Sequence, residues 1–240
     1  MARTMQALEV LSFQPSSAPQ IAEALQVHPR TARRLLNRLV ADGWLQRIDG
    51  ARPLYVPTMR IVALAAQLAE RAPVVRLGAA VAQDLQAATG NVVHLAVPSY
   101  RSALRLLRVN GDAGSRPQLR DLAPAHAIAG GKLLLAYREP WRESVLARPL
   151  EPVTELTVVD PDAVRSEAET TRARGFAVED GEFRPGVRAI AAPVRDGFGD
   201  VVAALAVSGA RAELEDIDRA ARHVAAAAGD LTEQLSTRSP

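Results

Sequence analysis

At 240 residues, with 48% hydrophobic and 23% charged side chains, the chain has an ordinary globular composition and can build one large or two modest domains without covalent staples. It has no cysteine, which excludes disulfides, Cys-ligated zinc and thiol catalysis, and no apolar run near the roughly 20 residues that span a bilayer. The net charge of +2 is unevenly divided: residues 1–60 carry eight arginines against Glu9, Glu23, Asp42 and Asp49, while the remainder is slightly acidic, so a polyanion-binding module is expected at the amino end.

The opening MARTMQALEV lacks the apolar core of a signal peptide, and a cytoplasmic location is expected. The spacing predicts a helix over Thr4 to Phe13 with Met5, Leu8, Leu11 and Phe13 inward, and a second over Gln20 to Gln26 with Ile21, Ala24 and Leu25 as its packing face. Gln26 occupies a tight turn where glycine is usual, at a cost of about 1 kcal/mol if its φ is positive. Pro29 suits the first position of a third helix. There Ala32, Leu35, Leu36, Leu39 and Val40 make the buried stripe and leave Arg30, Arg33, Arg34, Asn37 and Arg38 facing out. Asp42-Gly43 stops it. Trp44 to Ile48 and Pro53 to Val56 read as a hairpin carrying Arg47 and Arg52. Three helices and a basic hairpin make a winged helix-turn-helix over residues 1–57, and double-stranded DNA is the expected partner. A solvated arginine face is the plainer alternative, but no acidic residue interrupts Arg30 to Ala41.

A helix over residues 58–72 carries Ile61, Leu64, Ala65 and Leu68 on one side; period alone leaves open which surface covers them. A second domain, residues 73–240, starts with a helix whose apolar positions are Val74, Leu77, Val81, Leu85 and Ala88, closed by Gly90. Strands are expected at Asn91 to Val97 and Ala103 to Val109, a loop over Arg108 to Asp121, and a Leu-rich helix after Gly130-Gly131. Helix starts of this kind favour anions, although Gly-Gly-Lys lacks the spacing of a phosphate loop. Another helix occupies Pro140 to Ala147, and Asp160-Pro161 opens one that runs to Arg174. Gly175 then precedes an acidic stretch read as exposed, with Glu179, Asp180 and Glu182. Val187 to Pro193 and Val201 to Val207 form an antiparallel ribbon, and Leu214, Ile217, Ala221, Val224, Ala228 and Leu231 stripe the last helix. The fold class is therefore α+β, an antiparallel sheet flanked by helices.

Three stretches carry a resemblance. RARGFAVEDGEFRPGVRAIAAPVRD (172–196) with VVAALAVSG (201–209) resembles the effector domain of IclR-type transcriptional regulators; IAEALQVHPRTARRLLNRLVADGWLQR (21–47) resembles their DNA-binding domain; AHAIAGGKLLLAYRE (125–139) resembles their HAxxxGKxxLA stretch. Thr31 and Arg34 fall where the family's helix typically carries a small polar pair and an arginine before its Leu-Leu, whereas Arg30 and Arg33 replace residues that are usually smaller or less basic. The resemblance implies a GAF-like effector domain, a linker helix at 58–72 packed on a partner subunit, and a homodimer or dimer of dimers on a near-palindromic operator. It places the small-molecule effector against Ala129, Gly130, Glu179, Ala189, Ala206 and Ser208. Because Ala189 and Ala206 stand where the family often has Cys and Ser, a less polar pocket is expected, suited to a carboxylate or aromatic with an apolar body. No cofactor and no metal is expected. The competing readings are an enzyme acting on a small organic acid with a DNA-docking module, using the carboxylate cluster or a metal held by His94, His126 and Glu179, and a ligand-independent architectural protein.

Overall fold

The structure, a computed structural model, describes residues 2–70, 72–111 and 122–237. The chain divides into two compact units, residues 1–71 and 72–240. The expected loop before Asp121 falls mostly outside the described residues, as do the last three residues and the side chains of Phe13 and Leu68.

The first unit runs α1 (Ala2–Phe13), β1 (Ser16–Ser17), α2 (Ala18–Ala24), α3 (Pro29–Ala41), β2 (Leu45–Ile48), β3 (Leu54–Pro57) and α4 (Met59–Glu70). Its core joins Ala7 and Leu11 of α1 to Ile21 and Ala22 of α2 and to Ala32, Leu36 and Leu39 of α3. Each buried Leu or Ile contributes roughly 1.5–3 kcal/mol. Two assignments change. Met5 is exposed, and Ala7 with Leu11 forms the inward face of α1. Helix α2 starts two residues earlier than expected, because the Ser17 N–H donates to Gln20 Oε1 at 2.8 Å and caps the first turn. That rotates Ala18, Ile21 and Ala22 inward and leaves Ala24 exposed. Gln26 does adopt a φ of +50° in the turn between α2 and α3.

The hairpin pairs Leu45 with Pro57 and Ile48 with Leu54, and β1 adds a third strand through Ser16–Tyr55. Helix α4 is tied to this unit where Thr58 Oγ1 donates to the Gly43 carbonyl at 2.8 Å and the Arg60 guanidinium lies 4.4 Å from the Trp44 ring. Beyond these ties Met59 is 75% and Leu64 45% exposed, while Ile61 is half-buried.

The second unit runs α5 (Pro73–Thr89), β4 (Val92–Ser99), β5 (Ser102–Val109), β6 (Leu122–Pro124), a 3-10 turn (Ala125–Ala127), α6 (Ala129–Tyr137), α7 (Glu139–Leu146), α8 (Pro161–Arg174), β7 (Ala177–Asp180), β8 (Val187–Arg195), β9 (Val201–Ala210) and α9 (Ile217–Ser236). The strands form one antiparallel sheet in the order β6-β5-β4-β9-β8-β7. Gly90 and Gly175 take left-handed φ at the ends of α5 and α8, and Asp160 caps α8 by accepting from the Ala163 N–H at 2.9 Å. Ala88 lies outside the core; Ala82 takes that side of α5.

The two faces of the sheet differ in side-chain size, and that difference positions the site. Val93, Leu95, Ile190, Leu205 and Val207 pack a large-residue face against Val81 and Leu85 of α5 and Val224 and Leu231 of α9. The hydrophobic part of the opposite face is built of alanines, Ala189, Ala191, Ala204 and Ala206, beneath Leu133 and Leu134 of α6. Small residues let the helix start come close: a Cβ on Gly130 would stand 3.1 Å from the Ala96 Cβ.

Candidate nucleic-acid interface and buried cavity

Helix α3 carries Arg30, Arg33, Arg34, Asn37 and Arg38 in the open, while Thr31 is half-buried. One turn apart, Arg33 and Asn37 line a groove of about 840 Å³ between this helix and the hairpin, together with Arg47, Arg52 and Tyr55. Arg30, Thr31, Arg34 and Arg38 do not line it. Tyr55 donates its hydroxyl to Asn37 Oδ1 at 3.2 Å and fixes that amide. Arg47 pairs with Asp49 at 2.9 Å and Arg38 approaches Asp42 at 3.9 Å. Exposed pairs of this kind are worth about 0–1 kcal/mol, so both arginines remain available to phosphate. Ser17 and Gln20 also border the groove. They were missed, although Ser-x-x-Gln at 17–20 is a capping signature.

In the second unit the six positions Ala129, Gly130, Glu179, Ala189, Ala206 and Ser208 line one cavity of about 110 Å³. Strand register brings them together: Glu179 lies opposite Ala189, Ala189 opposite Ser208, and Ala206 opposite His94. The start of α6 roofs this row. Its N-cap, Ile128, has no side chain that could satisfy the first amides of the helix.

The cavity is more polar than expected, because His94, Arg105 and Arg108 also line it. Simple alternation puts positions 105 and 108 on opposite faces of a strand. A bulge intervenes. Leu95 pairs with Leu107 but Ala96 pairs with Arg105, so both Arg105 and Arg108, opposite His94, turn to the alanine face. These three side chains stand beside the alanines from which a less polar pocket was expected. Arg105 stacks over the Phe183 ring at 5.1 Å, and His94 Nε2 lies 3.0 Å from Ser208 Oγ.

Burial, followed by the charges of Arg105 and Arg108, lowers the His94 pKa to about 3. The ring is therefore neutral in the fold at working pH. Between pH 6.5 and about 3 the unfolded chain takes up a proton that the folded chain refuses, so this contribution to stability is present above pH 6.5 and is lost as pH falls. His94→Gln should flatten the pH dependence of unfolding free energy between pH 7 and 5 by up to about 1.4 kcal/mol per unit. Urea titrations of both proteins check it; parallel curves would refute it.

The acidic stretch is not exposed. Glu179 is buried, its carboxylate pushed up by desolvation, and it accepts from the Phe183 N–H at 3.0 Å. Glu182 is 9% exposed and pairs with Lys132 of α6, itself 4% exposed; Lys132 also reaches Glu167 of α8 at 2.9 Å. Asp180 bridges Arg188 and Arg211, both at 2.7 Å. The three carboxylates thus serve separate partners rather than one reacting centre. His126 Nε2 lies 3.0 Å from the Glu151 carbonyl and does not join His94 and Glu179 on the cavity.

A winged helix-turn-helix with a cationic groove, on one chain with an α+β domain that encloses a polar cavity, defines a DNA-binding transcriptional regulator. Residues 1–49 match the IclR helix-turn-helix domain, and residues 66–237 match the domain described as bacterial transcriptional regulator IclR C-terminal. The chain belongs to the IclR family of transcriptional regulators. It is 30% identical over 195 residues to the glycerol operon regulatory protein of Streptomyces coelicolor, covering 79% of this chain and 75% of that protein. An IclR homolog from Microbacterium hydrocarbonoxydans, solved in complex with 4-hydroxybenzoate, superposes with a TM-score of 0.79 at 26% identity over 98% of each chain. The IclR regulator of Alicyclobacillus acidocaldarius shares the fold, with a TM-score of 0.79 at 23% identity over 97% of each chain. These relatives are regulators and not enzymes, and the enzymatic reading is set aside. Among the described residues no helix is long and apolar enough to cross a membrane.

Proposed function

We propose that this regulator binds a near-palindromic operator as a homodimer or dimer of dimers in the cytoplasm, and that a small organic acid in the α6 cavity sets its operator affinity. The convergence of Ala129, Gly130, Glu179, Ala189, Ala206 and Ser208 on one cavity carries this reading. The 4-hydroxybenzoate complex of the Microbacterium homolog supports an organic acid as the kind of ligand this fold accepts. On the DNA side, α3 enters the major groove, Arg33 and Asn37 face base edges, and Arg47 and Arg52 of the hairpin hold phosphates. Arg30, Thr31, Arg34 and Arg38 flank the reading face and add to backbone contact.

Arg33→Ala should weaken the cognate operator by about 1–3 kcal/mol more than random DNA, whereas Arg52→Ala should weaken both alike and reduce the salt dependence. Fluorescence anisotropy over a salt series measures both. Equal losses on the two DNAs for Arg33→Ala would remove Arg33 from base reading.

The exposed Met59 and Leu64 of α4 support pairing of two chains through that helix, which would set two recognition helices one or more helical turns apart. Leu64→Asp should convert a dimer at micromolar protein to monomer in light scattering and lower operator affinity at least tenfold, since half-sites then bind independently. A wild-type chain that is monomeric with and without DNA would refute pairing.

A further inference from the structure

The effector reading leaves open what kind of acid the cavity takes, and its charge, size and unsatisfied groups narrow that choice. The cavity has two separate attractions for anions. One is the start of α6, nine residues long, where Ala129 and Gly130 bring uncapped amide groups to the wall. The other is the pair of arginines that the β4–β5 bulge turns inward, Arg108 opposite His94 and Arg105 opposite Ala96. Arg184 adds a third cation at the exposed margin, and Glu179 is the one acidic side chain among the described lining residues. Cations therefore outnumber acids on this wall.

Buried hydrogen-bonding capacity is also left unused. His94 is 8% exposed, and while its Nε2 faces Ser208, its Nδ1 is buried with no hydrogen-bond partner. Arg108 Nε is likewise buried and unpartnered. Polar groups in this state are costly unless a ligand or water completes them. Among the described residues no ion pair of Arg108 is formed, so a second acidic group on the ligand would supply it a counter-charge that a monoacid seated on α6 does not. Ala96, Ala189 and Ala206 add an apolar part to the same wall. A volume of about 110 Å³ favours a compact ligand.

We infer that the ligand is a compact diacid of three or four carbons, one acidic group on the α6 amides and the other on Arg108 with Arg105, its middle facing His94 and Ser208. This rests on the reading that the cavity is the effector site. A hydroxyl or keto group on the middle carbon would complete His94 Nδ1 and Ser208, so a hydroxylated diacid binds better than its plain counterpart.

The test is isothermal titration of the full chain with malonate, succinate and malate against propionate, butyrate and benzoate at matched ionic strength. Diacids are expected to bind roughly tenfold or more tightly than monoacids of equal length. Arg108→Gln should lower diacid affinity by roughly tenfold to a hundredfold, and monoacid affinity by less, so that the preference shrinks; Arg108→Lys, which keeps the charge, should retain part of the preference. If Arg108→Gln does not fold by circular dichroism, the lysine variant and the wild-type panel decide. Benzoate or a monoacid binding as tightly as every diacid, no acid binding at all, or a preference unchanged in Arg108→Gln would each overturn the inference. Operator retention with each acid separates the two readings. A bound diacid that leaves operator affinity unchanged sinks the effector reading and keeps the ligand class; a monoacid that shifts it does the reverse.

Discussion

Lys132→Met should cost about 3–5 kcal/mol of unfolding free energy, the largest loss expected from any single side chain described here. Lys132 is 4% exposed and supplies the counter-charge for Glu182, which is 9% exposed, while a second contact reaches Glu167 at 2.9 Å. Methionine keeps the volume of the stem and removes the charge, so the deficit measures the stranded carboxylate rather than a hole. Burial already pushes the Glu182 carboxyl up, with Lys132 holding it down. Without the lysine its folded pKa rises further above the unfolded value, so protonation stabilises the variant below that pKa and the gain disappears as pH climbs. The deficit should therefore narrow from pH 8 to pH 5. Adding Glu182→Gln to Lys132→Met should recover a substantial part of it at neutral pH, through the coupling between the two sites. A Lys132→Met protein within about 1 kcal/mol of wild type in urea unfolding would show that the pair is hydrated and dispensable.

Gly131→Ala should be nearly as damaging, by about 3 kcal/mol, for a steric reason. A Cβ there would stand 2.2 Å from the Ala125 carbonyl oxygen and 2.7 Å from its Cα, and main chain cannot turn aside as a side chain can. Helix α6 would have to lift off the 3-10 turn, displacing Ala129 and Gly130 from the cavity wall. Gly130→Ala makes the comparison: its Cβ would meet only the Ala96 Cβ at 3.1 Å and the Ala204 Cβ at 3.7 Å, a tight contact that a small movement relieves, for about 1 kcal/mol. Thermal and urea unfolding of the two variants should rank them in that order. Equal stabilities would mean that α6 already has slack against the turn.

Local chemistry was the readable part of this chain. Pro29 starting α3, Asp160 capping α8, and Gly90 and Gly175 closing α5 and α8 each follow from one residue's conformational limits. The arginine face of α3 was readable because a helix keeps a single period over 13 residues. Arg105 and Arg108 were not, because a bulge changes the period within a strand and leaves no mark in the residue types. The burial of Glu182 was hidden for a related reason: its partner stands 50 residues away, and an isolated lysine reads as surface. Met5 and Ala24 went wrong on small shifts of helix face, where alanines that pack closely outweighed larger neighbours. Cavity membership was readable only through family resemblance; what makes the cavity cationic came from sheet geometry.

The isolation of Lys132 gives the second unit a built-in chemical clock. It is the chain's only lysine, and a covered, ion-paired side chain is shielded from reagents until its surroundings open. Acylation at this position by an amine-directed reagent therefore times how often α6 parts from the loop after β7, without any introduced label. Anything that settles in the cavity beneath α6 should slow that reaction, and the modified peptide, identified by mass, would report occupancy before the ligand itself has been named.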